Sequence, residues 1–296
     1  MGYSYALYHF FLTFNLTIIS KTTLSTATVS FFAQPQPSLE KLMDLGLSGK
    51  KAVITGSTRG IGRAIANLLA DEGVDLAICS RNQAEVDSAI SELSAKGVKV
   101  VGSVVDVADK ESYEAWVASV GKELGGIDIF VPNVSAGGGI PGEEGWKANL
   151  EIDVLGTTRG IEAAMPFLEG SDAASIVIIS STAAVETFMG ANPYNAIKGA
   201  LIIHGKQLSQ ALAPQGIRVN CVSPGPIFIE GGAWDFIKNN MAEVYEGTLA
   251  QCPQGRMGSA EEVANSVAFL ASPAASLITG VNLIADGGFT KRVKNR

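Results

Sequence analysis

Two hydrophobic periods alternate along the chain from Lys51 onward. Short, nearly continuous apolar runs at 52–54, 74–79, 98–105, 127–131 and 174–179 predict buried strands. Between them lie stretches with helical spacing: 63–72, about fourteen residues after Arg81, a segment opening near Asp109, and 143–168. A last helix at 260–270 precedes a strand ending near Ala285. Strands alternating with helices at this spacing predict an α/β protein, with a parallel sheet covered on both faces. Ligands of such sheets sit at the carboxyl ends of the strands. The turn at Gly56, together with Arg81, Asp106, Asn133 and Ser181, falls at such ends, so one ligand could meet all of them.

The first strand runs directly into Thr55-Gly56-Ser57-Thr58-Arg59-Gly60-Ile61-Gly62. Strand, glycine turn and helix in that order form a dinucleotide-binding context, because glycines admit the pyrophosphate and the helix N-terminus presents free N–H groups to it. The spacing is G-x-x-x-G-x-G, and Gly56, Ser57, Arg59, Gly60, Ile61 and Gly62 are its candidate contacts. A dinucleotide site for NAD(H) would carry an acid after the second strand to bind the ribose 2′-hydroxyl. Here stand Ser80 and Arg81. A guanidinium suits a 2′-phosphate, so NADP(H) is favoured and NAD(H) is the second choice, with Arg59 a further contact; a solvated Arg81 at a helix start is the competing reading. Asp106 either meets the adenine edge or caps the following helix.

In the segment Tyr194-Asn195-Ala196-Ile197-Lys198, a helix puts phenol and ammonium one turn apart on one face. An adjacent cation favours a phenolate, which makes a tyrosine useful as an acid or base near neutral pH. Ser181 could hold a carbonyl oxygen at the same point.

Composition narrows the alternatives. Of 296 residues 47% are apolar, enough for a large core, and a net charge of −7 lacks the basic field that nucleic acid requires. Cys79, Cys221 and Cys252 have no metal or redox spacing and read as buried thiols of a cytoplasmic protein. With His9 and His204 the only histidines, no metal site is expected. Residues 1–43 differ from the rest: an aromatic, apolar stretch too short for a bilayer span, then a Ser/Thr-rich part with Pro35 and Pro37. They read as a leader for an organelle or membrane surface, as a disordered extension, or as residues upstream of a true start at Met43.

The chain resembles the short-chain dehydrogenase/reductase family over nearly all of 45–293. The resemblance rests on the glycine turn, Asp106-Val107, Ile179-Ser180-Ser181, Tyr194 through Lys198, and 218–225 with Pro224-Gly225, together with Gly255-Arg256-Met257-Gly258 and Asp286-Gly287-Gly288. It implies a single-domain, three-layer Rossmann-type doubly wound parallel sheet over 44–296, with a substrate lid at about 226–254. By resemblance Tyr194 is the acid/base, Ser181 polarises the carbonyl, and Lys198 binds the nicotinamide ribose and favours the phenolate. Val107, Asn133, Pro224, Gly225 and Ile227 would contact cofactor, and Phe228 and Trp234 substrate, although aromatics at helical spacing also suit plain packing. Three positions depart from the family pattern: Val134-Ser135-Ala136 after Asn133, Ile229 for a threonine, and Asp153 for a catalytic asparagine. If Asp153 approached Lys198, it would partly cancel the ammonium's field at Tyr194. The implied activity is NADP(H)-linked interconversion of a ketone and a secondary alcohol, with 3-oxoacyl thioesters the first substrate choice, by a homodimer or homotetramer. A cofactor-binding scaffold with little turnover is the alternative.

Overall fold

The computed structural model describes residues 44–293; the leader expected over 1–43 lies outside them. Seven strands, β1 (Lys51–Thr55), β2 (Asp75–Ser80), β3 (Val100–Val104), β4 (Ile129–Val131), β5 (Ser175–Ile179), β6 (Arg218–Pro224) and β7 (Asn282–Ala285), form one parallel sheet in the order β3-β2-β1-β4-β5-β6-β7. The helices are α1 (Gly60–Asp71), α2 (Gln83–Ser94), α3 (Lys110–Leu124), α4 (Gly142–Asn149), α5 (Gly156–Leu168), α6 (Pro193–Leu212), α7 (Ala233–Asn240), α8 (Ala242–Leu249) and α9 (Ala260–Ala271).

The strands read as unbroken apolar runs because both faces are covered, yet a period of two still divides them. Ala52 and Ile54 of β1, with Val177 and Ile179 of β5, pack on the side of α1 and α9. Val53, Ile176 and Ile178 pack on the opposite side with residues of α3, α5 and α6. The strand order reverses between β1 and β4, which opens the crevice where such sheets take ligands. Arg218 explains part of the 218–225 motif: its guanidinium donates to the carbonyls of Leu270, Ala271 and Ser272 and so satisfies the end of α9.

Two elements differ from expectation in instructive ways. Helix α1 begins at Gly60, three residues ahead of the predicted start, so two glycines of the turn form its first turn. The predicted continuous helix over 143–168 is α4, a π-helical turn at Leu150–Leu155, and α5. The widened turn contains Asp153, which is fully buried.

Candidate active site

A cavity of about 870 Å³ opens along the carboxyl ends of β1, β2, β3 and β4. Its floor is the glycine turn. Gly56 and Gly60 have φ of +63° and +60°, in the left-handed region that favours glycine. Gly62 is needed for a different reason: a Cβ there would lie 2.3 Å from the Gly56 carbonyl oxygen and 2.6 Å from Asn133 Nδ2. Asn133 holds the turn from the next strand, its Nδ2 donating to the Thr55 and Gly56 carbonyls and its N–H to Thr55 Oγ1. The N-terminus of α1 has no side-chain cap and no acid in its first turn. Uncapped N–H groups over a glycine cradle fit a pyrophosphate.

The far wall fits a 2′-phosphate. Arg59 and Arg81 both line the cavity and are exposed. Among the described residues neither guanidinium has a hydrogen bond or ion pair, whereas those of Arg63, Arg159 and Arg256 pair with carboxylates. Glu85 also lines the wall but is occupied, accepting from the Thr58 hydroxyl at 2.7 Å. Sequence reasoning missed Thr58 and Glu85; an acid in the first turn of α2 is the signal that could have shown them. Asp106 lines the cavity and accepts from the Ala108 N–H, while Asp109, not Asp106, caps α3. The Asp109 carboxyl is held below its ordinary range by the Ser112 hydroxyl and N–H.

Several anticipated contacts are turned elsewhere. Ser57 is fully buried: its hydroxyl donates to the Ile54 carbonyl and accepts from the Cys79 N–H, so its side chain knits the turn to β2 and does not face the cavity. Ser80 Oγ is engaged with the backbone of Asn82. Ile227 is buried in the core and borders a separate cavity of about 300 Å³. Phe228 and Trp234 pack against a small cluster of Cys252, Met257 and Phe289, Phe228 edge-on to Tyr245 and Trp234 beside Phe188. Both rings are engaged in packing there. Gly225 donates to the Ala285 carbonyl, and a Cβ there would strike Asp286 at 2.6 Å. Ile61 is half-buried against the core and Val107 is buried, also lining the cavity. The Cys79 and Cys221 thiols are buried in β2 and β6, and burial pushes each up to about 12.

The loop after β4 links this cavity to the tyrosine. Val134, Ser135 and Ala136 wall the cavity, and Gly138 lies against Tyr194, whose ring a Cβ at 138 would approach at 3.8 Å. Asn192 fixes the junction, its Oδ1 capping α6 through the Tyr194 N–H and its Nδ2 donating to the Gly138 carbonyl. Pro193 follows at the first helical position, where a missing N–H costs nothing.

Ser180 and Ser181, adjacent at the end of β5, are used differently. Ser180 is buried and donates to the Lys198 carbonyl. Ser181 is half-buried, and its Oγ accepts from the Ala183 N–H at 3.2 Å, which leaves its own proton to donate. Lys198 is 2% exposed; its Nζ donates to the Ile179 carbonyl at 3.0 Å and lies 5.7 Å from the Tyr194 ring centre. Its partner is Asp153, with Nζ 3.0 Å from Oδ1. Asn149, one turn earlier, is directed elsewhere, its amide donating to the Gly137 and Gly145 carbonyls.

A nucleotide cradle at a sheet reversal, with a serine just past the end of β5 and a tyrosine and a buried lysine on α6, defines a nicotinamide-dependent oxidoreductase. The family model described as enoyl-(acyl carrier protein) reductase matches residues 56–290, and the chain belongs to the short-chain dehydrogenase/reductase family, acting on CH–OH groups. It is 37% identical over 251 residues to isoepoxydon dehydrogenase patN of Penicillium expansum, covering 83% of this chain and 97% of that one. Human dehydrogenase/reductase SDR family member 4 is 38% identical over 252 residues, covering 83% and 90%. The crystal structure of L-sorbose reductase from Gluconobacter frateurii, complexed with NADPH and L-sorbose, superimposes with a TM-score of 0.78 at 34% identity, covering 85% of this chain and 100% of that one.

Proposed function

We propose that the chain is an NADP(H)-dependent reductase that interconverts a ketone and a secondary alcohol, with Ser181 and Tyr194 holding the carbonyl oxygen and Tyr194 moving the proton. The observation that carries this reading is the buried Lys198 ammonium 5.7 Å from the Tyr194 ring; Ser181, just past the end of β5, accepts from the Ala183 N–H and among the described residues donates to no partner. A bound dihydronicotinamide supplies the hydride. The protein's share is to polarise the carbonyl with two hydroxyls, deliver a proton from Tyr194 to the developing alkoxide, and stabilise the phenolate left behind through Lys198. Arg59 and Arg81, without carboxylate partners, support NADP(H) over NAD(H).

For the substrate we propose a 3-oxoacyl thioester, supported by the acyl-carrier-protein name of the matching family model. The lid is assigned to 226–254, which holds the two short helices α7 and α8. Trp146, Leu150 and Ile203 are 49%, 48% and 64% exposed on α4, the π-helical turn and α6, and support a homodimer or homotetramer. A cytoplasmic location is proposed with it; among the described residues no helix is long and apolar enough to cross a membrane.

The test is NADPH consumption against acetoacetyl-CoA, ethyl 3-oxobutanoate, L-sorbose and a cyclic hydroxyketone. Turnover of acetoacetyl-CoA above the others supports both parts of the proposal. Turnover confined to the sugar or the cyclic ketone rejects the thioester, and inertness toward every carbonyl rejects the reaction.

A further inference from the structure

We propose that Asp153 is a positioning residue that acts through Lys198, neutralising its ammonium so that it stabilises a Tyr194 phenolate less than a lone cation would, and so biases the site toward donating a proton to a carbonyl. This rests on the reading of Tyr194 as the acid/base. Asp153 is fully buried, on a turn of helix whose backbone is widened just where its side chain reaches inward. Its Oδ2 is fixed by the Ala136 N–H at 2.9 Å. Its Oδ1 lies 3.0 Å from Lys198 Nζ but outside hydrogen-bonding angles, and among the described residues it has no hydrogen-bond partner. The contact is therefore one of charge. A buried ammonium neutralised in this way presents Tyr194 with the field of an ion pair, which falls off faster with distance than that of a lone cation.

Among the described residues no other carboxylate pairs with Lys198. From α4 the titratable residues are Glu143, Glu144 and Lys147, paired with one another at the surface. The π-helical turn adds Glu151, which is paired with Arg159. From β6 comes Cys221, whose thiol burial pushes up to about 12 while Lys198 pulls it down. On α6 itself His204 is lowered by burial, with Glu162 of α5 acting in the opposite sense. Among the described residues, Asp153 is the carboxylate paired with Lys198.

The experiment is a spectrophotometric titration of the cofactor-free protein, following the ultraviolet band of tyrosinate. The difference between wild type and Tyr194→Phe isolates Tyr194, and the same difference is taken in an Asp153→Asn background. The proposal expects the Tyr194 band to emerge about one pH unit lower in Asp153→Asn, at the low end of what a nearby charge does. The acid limb of alcohol oxidation should move with it. Coincident titrations, or movement to higher pH, would overturn the proposal. If Asp153→Asn lacks the wild-type melting transition, Asp153→Ser is read in its place by the same criteria. Should Tyr194→Phe retain full activity, the acid/base reading fails and this inference with it; if Tyr194→Phe is inactive and the titrations coincide, only this inference fails.

Discussion

Replacing Gly62 by alanine tests the cradle, because helix propensity and packing predict opposite signs. Gly62 lies in the first turn of α1, and an alanine in a helix interior is ordinarily favoured over glycine by about 1 kcal/mol. Here the new Cβ would sit 2.3 Å from the Gly56 carbonyl oxygen, where real contacts stay beyond 3.0 Å, so backbone must yield by at least the 0.7 Å between them. It would also lie 2.6 Å from Asn133 Nδ2, which cannot move without loosening its bonds to the Thr55 and Gly56 carbonyls. Two hydrogen bonds at about 1 kcal/mol each and overpacking strain of about 1–3 kcal/mol outweigh the propensity gain and leave a net loss of about 2–4 kcal/mol. At roughly 2–4 °C per kcal/mol for a chain of this class, Tm should fall by about 4–16 °C. Differential scanning calorimetry measures it, and calorimetric titration with NADPH should show weaker binding, because the same atoms form the floor of the cavity. An unchanged or raised Tm would refute the packing argument.

Three further outcomes follow from the same geometry. Ser180→Ala and Ser181→Ala should each cost about 1 kcal/mol of stability, by removing the bond to the Lys198 carbonyl and the bond from the Ala183 N–H respectively, but Ser181→Ala should lower kcat far more; denaturation and kinetics on both variants check the division. Glu262 is held at about 2 by the Arg256 guanidinium and the Ser259 N–H, so it contributes stability above the ordinary glutamate value of 4.5 that is lost as pH falls toward 2; in Glu262→Gln, acid denaturation between those values should be less steep. Cys79 and Cys221 should resist alkylation at pH 8 in the native protein, and because their folded values are raised, the stability tied to them is full below 9 and declines as pH rises through 9 toward 12; mass spectrometry after iodoacetamide, with and without denaturant, checks the first part.

The order of strands and helices was legible because a sheet covered on both faces leaves a strong apolar signature in β1, β2 and β5. The glycine turn was legible too, since positive φ at Gly56 and Gly60 is a local demand that sequence must meet locally. The break at 150–155 was not. It has no proline or glycine to announce it and depends on Asp153 reaching Lys198 and Ala136, partners 45 and 17 residues away. The engagement of the Ser57 hydroxyl was not legible for a similar reason: it depends on the Ile54 carbonyl and on the Cys79 N–H, 22 residues away in the next strand. The aromatics at Phe228 and Trp234 carry the same spacing whether they face a ligand or the Phe289 cluster, and only tertiary packing distinguishes the two. That Ser180 is committed to the fold was not legible either, because its partner is the Lys198 carbonyl, 18 residues further along the chain.

If a tyrosine beside a buried ammonium performs the proton transfer, reduction requires the Tyr194 hydroxyl. Single-turnover reduction by Tyr194→Phe, with NADPH affinity measured in parallel by calorimetry, tests it most directly. The rate should fall by about 10²–10⁴-fold with cofactor affinity unchanged; a Tyr194→Phe protein that reduces its carbonyl substrate at the wild-type rate would show that the proton comes from elsewhere.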